Sequence, residues 1–213
     1  VLLCALANMR KFLPMKYDLV AITVDPCFDN IQTDFRQVEE LCRRLQIKYE
    51  IRRSQLGNII FEQRKESNPC SLCARMRRGI LHDMSKKHNC NKLALGHHFD
   101  DVIETILMGM LYSGKVETMM PKLHSQNFEG MELIRPLYMV KEDAIKAWRD
   151  YNGLHFIQCA CRFTENCVSC GGGRGSKRDE MKELVAQFRK TSDVIETNIF
   201  NSVRNINLRT VIG

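Results

Sequence analysis

At 213 residues the chain suits one domain of ordinary size, with room for a small appendage. Apolar residues at 44% and charged residues at 27% are ordinary for a globular protein, and no apolar run reaches the about 20 residues that a membrane span needs. The net charge of +7 is a moderate basic excess, which fits a solvated surface and also an RNA-binding enzyme.

Residues 1–13 carry apolar side chains at helical spacing but begin without a capping residue or a leading strand. Leu19–Val24 is apolar on both faces, as a buried parallel strand is, and it breaks at Asp25-Pro26. Asp34 with Gln37 forms a capping-box signature for a helix over Phe35–Leu45. A strand at Lys48–Arg52 comes next, then a Gly57-Asn58 turn and a helix over Ile59–Glu66. The next helix, Ser71–Lys87, lines up Leu72, Met76, Ile80 and Met84 on one face.

A strand at Lys92–Leu95 leads through Gly96 into a helix whose inward residues read as Val102, Ile103, Ile106, Leu107, Met110 and Leu111. After Tyr112-Ser113-Gly114-Lys115 comes a loop containing Pro121-Lys122, then a strand at Leu133–Leu137 with Pro136 at its end. Lys141–Asn152 is helical and closed by Gly153. His155-Phe156-Ile157 reads as a last strand, before a cysteine cluster, a glycine-rich link at 171–175, and helices over Lys177–Arg189 and Asp193–Arg204. Alternating strands and helices predict a doubly wound α/β sheet. The expected division is an α/β domain at 1–158 and a Cys/Gly-rich, helical C-terminal extension at 159–213.

Ten cysteines behind no signal peptide point to reduced thiols and metal ligands, and so to a cytoplasmic protein. Cys70 and Cys73 stand three apart at a helix start, where thiolates are favoured, and both can face one point. Cys159 leaves the last strand, which a parallel sheet could bring near the same end. The residues alone leave an iron–sulfur cluster, a zinc ion and a redox dithiol open, in that order. Cys159, Cys161, Cys167 and Cys170 also make a compact set with zinc-like spacing.

Gly96 ends a strand where α/β sheets bind ligands, and Asp100 and Asp101 open the next helix. Two adjacent carboxylates suit a hydrated Mg2+ carrying nucleotide phosphates, while capping explains one of them equally well. His97 and His98 read as phosphate or adenosine contacts or as hydrogen-bonded structural residues. Lys115, Lys122, Arg135, Arg174, Lys177 and Arg178 are candidate RNA backbone contacts.

Several ordered motifs then carry a resemblance over Val1 to about Cys161. They are Cys70-Ser71-Leu72-Cys73-Ala74-Arg75-Met76-Arg77-Arg78, Leu95-Gly96-His97-His98-Phe99-Asp100-Asp101, Pro121-Lys122-Leu123, Ile134-Arg135-Pro136-Leu137 and Phe156-Ile157-Gln158-Cys159. Together they resemble the tRNA-cytidine 2-sulfurtransferase branch of the PP-loop ATPases. The resemblance implies a Rossmann-like fold, ATP with Mg2+, and a [4Fe-4S] cluster on Cys70, Cys73 and Cys159. By position, Gly96, Asp101 and Arg77 match ATP-contacting residues, with His97 and Asp100 beside them. It implies adenylation of a base oxygen followed by sulfur replacing AMP. The expected partners are tRNA, ATP and a sulfur donor such as a cysteine desulfurase, with no membrane; a homodimer is compatible.

Two departures stand out. The family's Ser-Gly-Gly-x-Asp-Ser phosphate loop is absent, and Val1-Leu2-Leu3 resembles the residues just downstream of that loop, so preceding residues and a central strand are expected to be missing. The extra cysteines and glycines of Cys161–Arg178 fit the branch poorly and leave the substrate base open. Two rivals remain: a lysidine-synthetase-like adenylating enzyme, and a non-catalytic metal-bearing RNA-binding module.

Overall fold

The computed structural model describes residues 1–28, 33–60, 69–125, 128–155, 177–207 and 209–210, and of Pro69 and Cys70 the backbone alone. Helix α1 (Leu2–Met9) leads into β1 (Val20–Asp25), α2 (Arg36–Arg44), β2 (Lys48–Arg53) and a short α3 (Leu56–Asn58). Then come α4 (Pro69–Lys87), β3 (Lys92–Ala94), α5 (Phe99–Ser113), β4 (Lys122–His124) and β5 (Glu132–Ile134). The described chain ends with α6 (Glu142–Tyr151), α7 (Lys177–Thr191) and α8 (Ile195–Ser202).

The α/β expectation holds. Strands β1 and β2 pair in parallel, with Val20 opposite Lys48, and β3 pairs in parallel with β5, with Ala94 opposite Ile134. Among the described residues these are two separate sheets, and α4 packs against both β1 and β3. The stretch read as a loop around Pro121-Lys122 is instead β4, antiparallel to β5. Three residues are too short for an alternating pattern to register, so periodicity missed it.

Two apolar clusters hold the layers. In the first, Val24, Leu56, Ile60 and Leu72 close beneath α4, with Met76 and Ile80 packed on them. In the second, Val102, Ile103 and Ile106 of α5 are fully buried against Tyr138, Met181, Val185 and Phe200. Each such aliphatic side chain contributes roughly 1.5–3 kcal/mol relative to exposure. Because Met181, Val185 and Phe200 belong to α7 and α8, the C-terminal helices share the core of the α/β layer.

Three local readings change. Met110 and Leu111, expected inward, are 47% and 58% exposed, because α5 outruns its partners near its C-terminus. Helix α2 has no side-chain cap at Phe35, and Asp34 Oδ1 instead accepts the Arg36 N–H at 3.0 Å, so Gln37 closes no box. Gly57-Asn58 is helical, and Gly57 is needed because a Cβ would lie 3.0 Å from the Phe28 backbone. The helix expected over 59–66 and the strand expected at 155–157 lie mostly outside the described residues.

Candidate functional site

Helix α4 opens on Pro69, whose fixed φ suits a first helical position and whose missing N–H costs nothing there. Cys70 and Cys73 stand three residues apart at that end of α4. Cys73 is half-buried against the Val24–Leu56–Ile60–Leu72 cluster. The Cys70 side chain and all of Cys159, Cys161, Cys167 and Cys170 lie outside the described residues. Among the described residues no three His, Cys, Asp or Glu side chains gather to hold a metal.

Helix α4 packs on β3 and connects to it by a short turn, so the two run antiparallel. The start of α4 therefore lies toward the C-terminal end of β3. From there the chain passes Leu95, whose N–H donates to Ile134 O at 2.9 Å, and the exposed Gly96. A Cβ on Gly96 would meet nothing within 4 Å, so the backbone here faces open space. This is the crevice at which open α/β sheets take their ligands.

Asp100 and Asp101 are adjacent but used differently. Asp100 Oδ2 accepts the Glu142 N–H of α6 at 2.7 Å, and its Oδ1 accepts Arg189 Nη2 at 2.5 Å. Burial alone would raise its pKa; nearby His98, the Glu142 N–H and Arg189 instead hold it well below the usual carboxylate range. Arg189 also reaches Glu196 Oε1 at 2.5 Å, tying α5, α7 and α8 together. Asp100 thus serves the frame.

Asp101 Oδ2 accepts the His98 N–H at 2.9 Å, capping α5, while Oδ1 accepts Arg178 Nη1 at 2.7 Å. His98 Nδ1 stands 3.7 Å from Asp100 Oδ2, too long for a hydrogen bond, yet the attraction to that carboxylate raises the His98 pKa. Glu104 is buried beside Arg178, and burial raises its pKa despite that partner.

The Nδ1 of His98, like that of His97, is buried with no hydrogen-bond partner among the described residues, but the pKa of His97 shifts the other way. Burial lowers its pKa, and the charges of Arg135, Arg178 and Arg78 lower it further, against Asp101. Arg135 is only 8% exposed; its Nη1 donates to Met120 O, and its Nε has no partner among the described residues. Leaving a buried charged donor unpaired costs on the order of 1–3 kcal/mol or more.

Arg77, the expected ATP contact, is exposed. The arginine whose charge bears on His97, His82 and Arg135 is its neighbour Arg78. Arg78 shares the 78–82–85 stripe of α4, whose His82 and Ser85 are buried and whose His82 ring stacks on Phe128 with centroids 4.7 Å apart. The apolar 72–76–80–84 stripe is the stronger periodic signal on this helix. Arg135 had a readable signal in its place directly after a parallel strand.

Several of the basic residues expected to face RNA also have partners within the chain. Lys122 pairs with Glu132 at 2.6 Å, Lys177 lies 4.4 Å over the Tyr112 ring, Arg178 holds Asp101 and Glu104, and Arg135 is buried. Lys115 is exposed, and Arg174 lies outside the described residues.

Comparison with known proteins places the sequence and the fold. Residues 1–162 match the PP-loop domain family. The chain is 34% identical over 99% of its length to a tRNA-cytidine(32) 2-sulfurtransferase of Syntrophotalea carbinolica, covering 78% of that protein. It is 33% identical over 99% of its length to that of Geotalea uraniireducens, covering 80% of it. The fold superposes on the U34-tRNA thiolase NcsA from Methanococcus maripaludis, solved with its [4Fe-4S] cluster. That match has a TM-score of 0.75 at 23% identity and covers all of this chain and 68% of the thiolase. The chain therefore belongs to the PP-loop family and, within it, to the family of the tRNA-cytidine 2-sulfurtransferases.

Proposed function

We propose that the protein is a cytoplasmic, ATP-dependent tRNA thiolation enzyme of the 2-thiocytidine type. The observation that carries this reading is the near full-length similarity to tRNA-cytidine(32) 2-sulfurtransferases, 34% identity over 99% of the chain. The site geometry agrees with it: a thiol-bearing helix start and an open strand-to-helix turn share one end of the layer.

The chemical need is plain. A ring carbonyl oxygen leaves poorly, whereas the same oxygen bonded to the α-phosphorus of ATP, with pyrophosphate expelled, leaves as AMP when sulfur attacks the carbon. Open backbone at Gly96 gives a nucleotide close approach, and the first turn of α5 favours its negative charge. Asp101, whose side chain is 18% exposed against 8% for Asp100, is the carboxylate that would position Mg2+ with ATP, its Oδ1 exchanging Arg178 for the ion. Cys70, Cys73 and Cys159 would hold a [4Fe-4S] cluster, which supplies a binding place for the transferred sulfur at the iron lacking a protein ligand. The helix start at Pro69 favours the thiolate state of Cys70 and Cys73. The sulfur would come from a donor such as a cysteine desulfurase.

Nucleoside mass spectrometry of tRNA from a deletion strain tests the reading. Thiocytidine is expected to vanish, to return with the wild-type gene and to stay absent with Cys70→Ala. Unchanged thionucleosides in the deletion, or full rescue by Cys70→Ala, would contradict it.

A further inference from the structure

Helix α4 changes character along its length. In its later turns the arc that holds residues 78, 82 and 85 is closed: His82 and Ser85 are buried, and the His82 ring stacks on Phe128. Nearer the helix start the same arc is open. At about 100° per residue it carries Ser71, Ala74, Arg75, Arg77 and Arg78 there, all of them exposed. None of the three arginines makes an ion pair or hydrogen bond among the described residues. The first turn of α4 holds no acid, and Asp83 is the first carboxylate within the helix. Arg75 and Arg78 are neighbours at i and i+3, a like-charge pair that is unfavourable in isolation. The charge of Arg78 also bears on His97 and Arg135, which follow the C-terminal ends of β3 and β5. The arginine face therefore begins at the rim of the crevice and looks outward from it.

We propose that Arg75, Arg77 and Arg78 form a landing surface for the sugar-phosphate backbone of tRNA, beside the crevice where its base reacts. This deepens the thiolation reading above and rests on it. Projecting guanidinium groups meet phosphates with paired, charge-assisted hydrogen bonds, and such contacts fix the register of a nucleic acid on its protein. By contrast, Lys122, Lys177 and Arg178 each face a partner of their own within the chain. Arg77, expected at the nucleotide, joins the RNA face on this assignment. An acidic protein is the poorer occupant. Protein interfaces centre on apolar and aromatic side chains inside a polar rim. Between these arginines the face offers only Ala74 and Ser71, and no large apolar side chain among the described residues of α4 is exposed.

Anisotropy titration of labelled tRNA from the deletion strain with the purified chain, between about 50 and 200 mM salt, tests this. Each variant is checked for folding by circular dichroism. Arg75→Gln and Arg78→Gln should each weaken binding at least about fivefold, the scale of one net hydrogen bond, and the double variant more. The slope of log affinity against log salt should fall by about one for each arginine removed. Arg75→Lys and Arg78→Lys keep the charge and should keep the slope. Lys86→Gln removes an equal charge from an exposed position at the far end of α4 and should bind within about twofold of wild type. Absent tRNA binding in wild type, an unchanged salt slope in the double variant, or an equal loss in Lys86→Gln would each overturn the surface. Unchanged affinity in the double variant would overturn it too and leave an acidic protein as the better occupant. Nucleoside analysis judges the thiolation reading separately: thiocytidine that vanishes in the deletion, beside unchanged tRNA binding by the double variant, would remove this surface alone.

Discussion

The α5 wall and the α4 wall of the crevice are built on different principles. Around α5 the protein neutralises its own charges: Arg189 joins Asp100 to Glu196, and Arg178 joins Asp101 to Glu104, over a core shared with α7 and α8. The start of α4 is held chiefly by apolar contact, through Leu72 and Cys73 on Val24, Leu56 and Ile60. One wall is completed by ion pairs and packing within the chain, the other mainly by apolar contact at Leu72 and Cys73. The lesson is that α5 is tied to two further helices, and the proposed cluster would sit on the less tied wall.

This contrast can be broken by mutation. The largest stability effect is expected from Ile103→Ala, at a fully buried position of the α5 wall, costing about 3–4 kcal/mol in urea melts. A loss below about 1 kcal/mol would mean that α5 is not the more tightly tied side. Arg189→Met should cost less, about 2–3 kcal/mol, because it removes the cation shared by buried Asp100 and Glu196, which keep only the Glu142 N–H and Lys141, while Arg189 itself is partly exposed. Combined with Glu196→Gln, its effect should be less than additive; strict additivity would dissolve the proposed tie.

The same network sets an acid response. Asp100 and Glu196 have folded pKa values below their ordinary ones, so their stabilisation is fully present above the usual carboxyl range of about 4. It is lost as pH falls through the lower folded values. Melting midpoints of the wild type should therefore fall below about pH 4, and Arg189→Met should flatten that slope. An equal slope in both would place the acid sensitivity elsewhere. The smallest effect is expected at Arg36, whose pair with Asp34 is solvent-exposed on both sides. Arg36→Ala should leave the melting midpoint unchanged within error.

Much of the frame was legible from residues. Strands β1, β2, β3 and β5 and helices α4 to α8 are given by period and by Gly114 and Gly153, both at positive φ. The Gly96–Asp101 turn stood out because glycine, histidines and carboxylates cluster between a strand and a helix. Which carboxylate serves the frame was not legible, since the partners of Asp100 lie 42 and 89 residues away. The partners of Arg178 were hidden for the same reason: Asp101 and Glu104 are 77 and 74 residues away. Arg78 was hidden within a run of three nearby arginines, and only the β3–β5 layer beside α4 distinguishes it. Long-range pairing of charges carries no local period, so no window along the chain reveals it.

The central claim is that Cys70, Cys73 and Cys159 hold one iron–sulfur cluster at the end of the layer where the nucleotide turn lies. Anaerobic purification with iron and sulfide analysis and electron paramagnetic resonance of the reduced protein tests it most directly. Iron and sulfide in equal amounts are expected in the wild type and in Cys161→Ala, and neither in Cys70→Ala, Cys73→Ala or Cys159→Ala. A colourless wild-type protein, or a cluster that survives Cys159→Ala, would contradict the account.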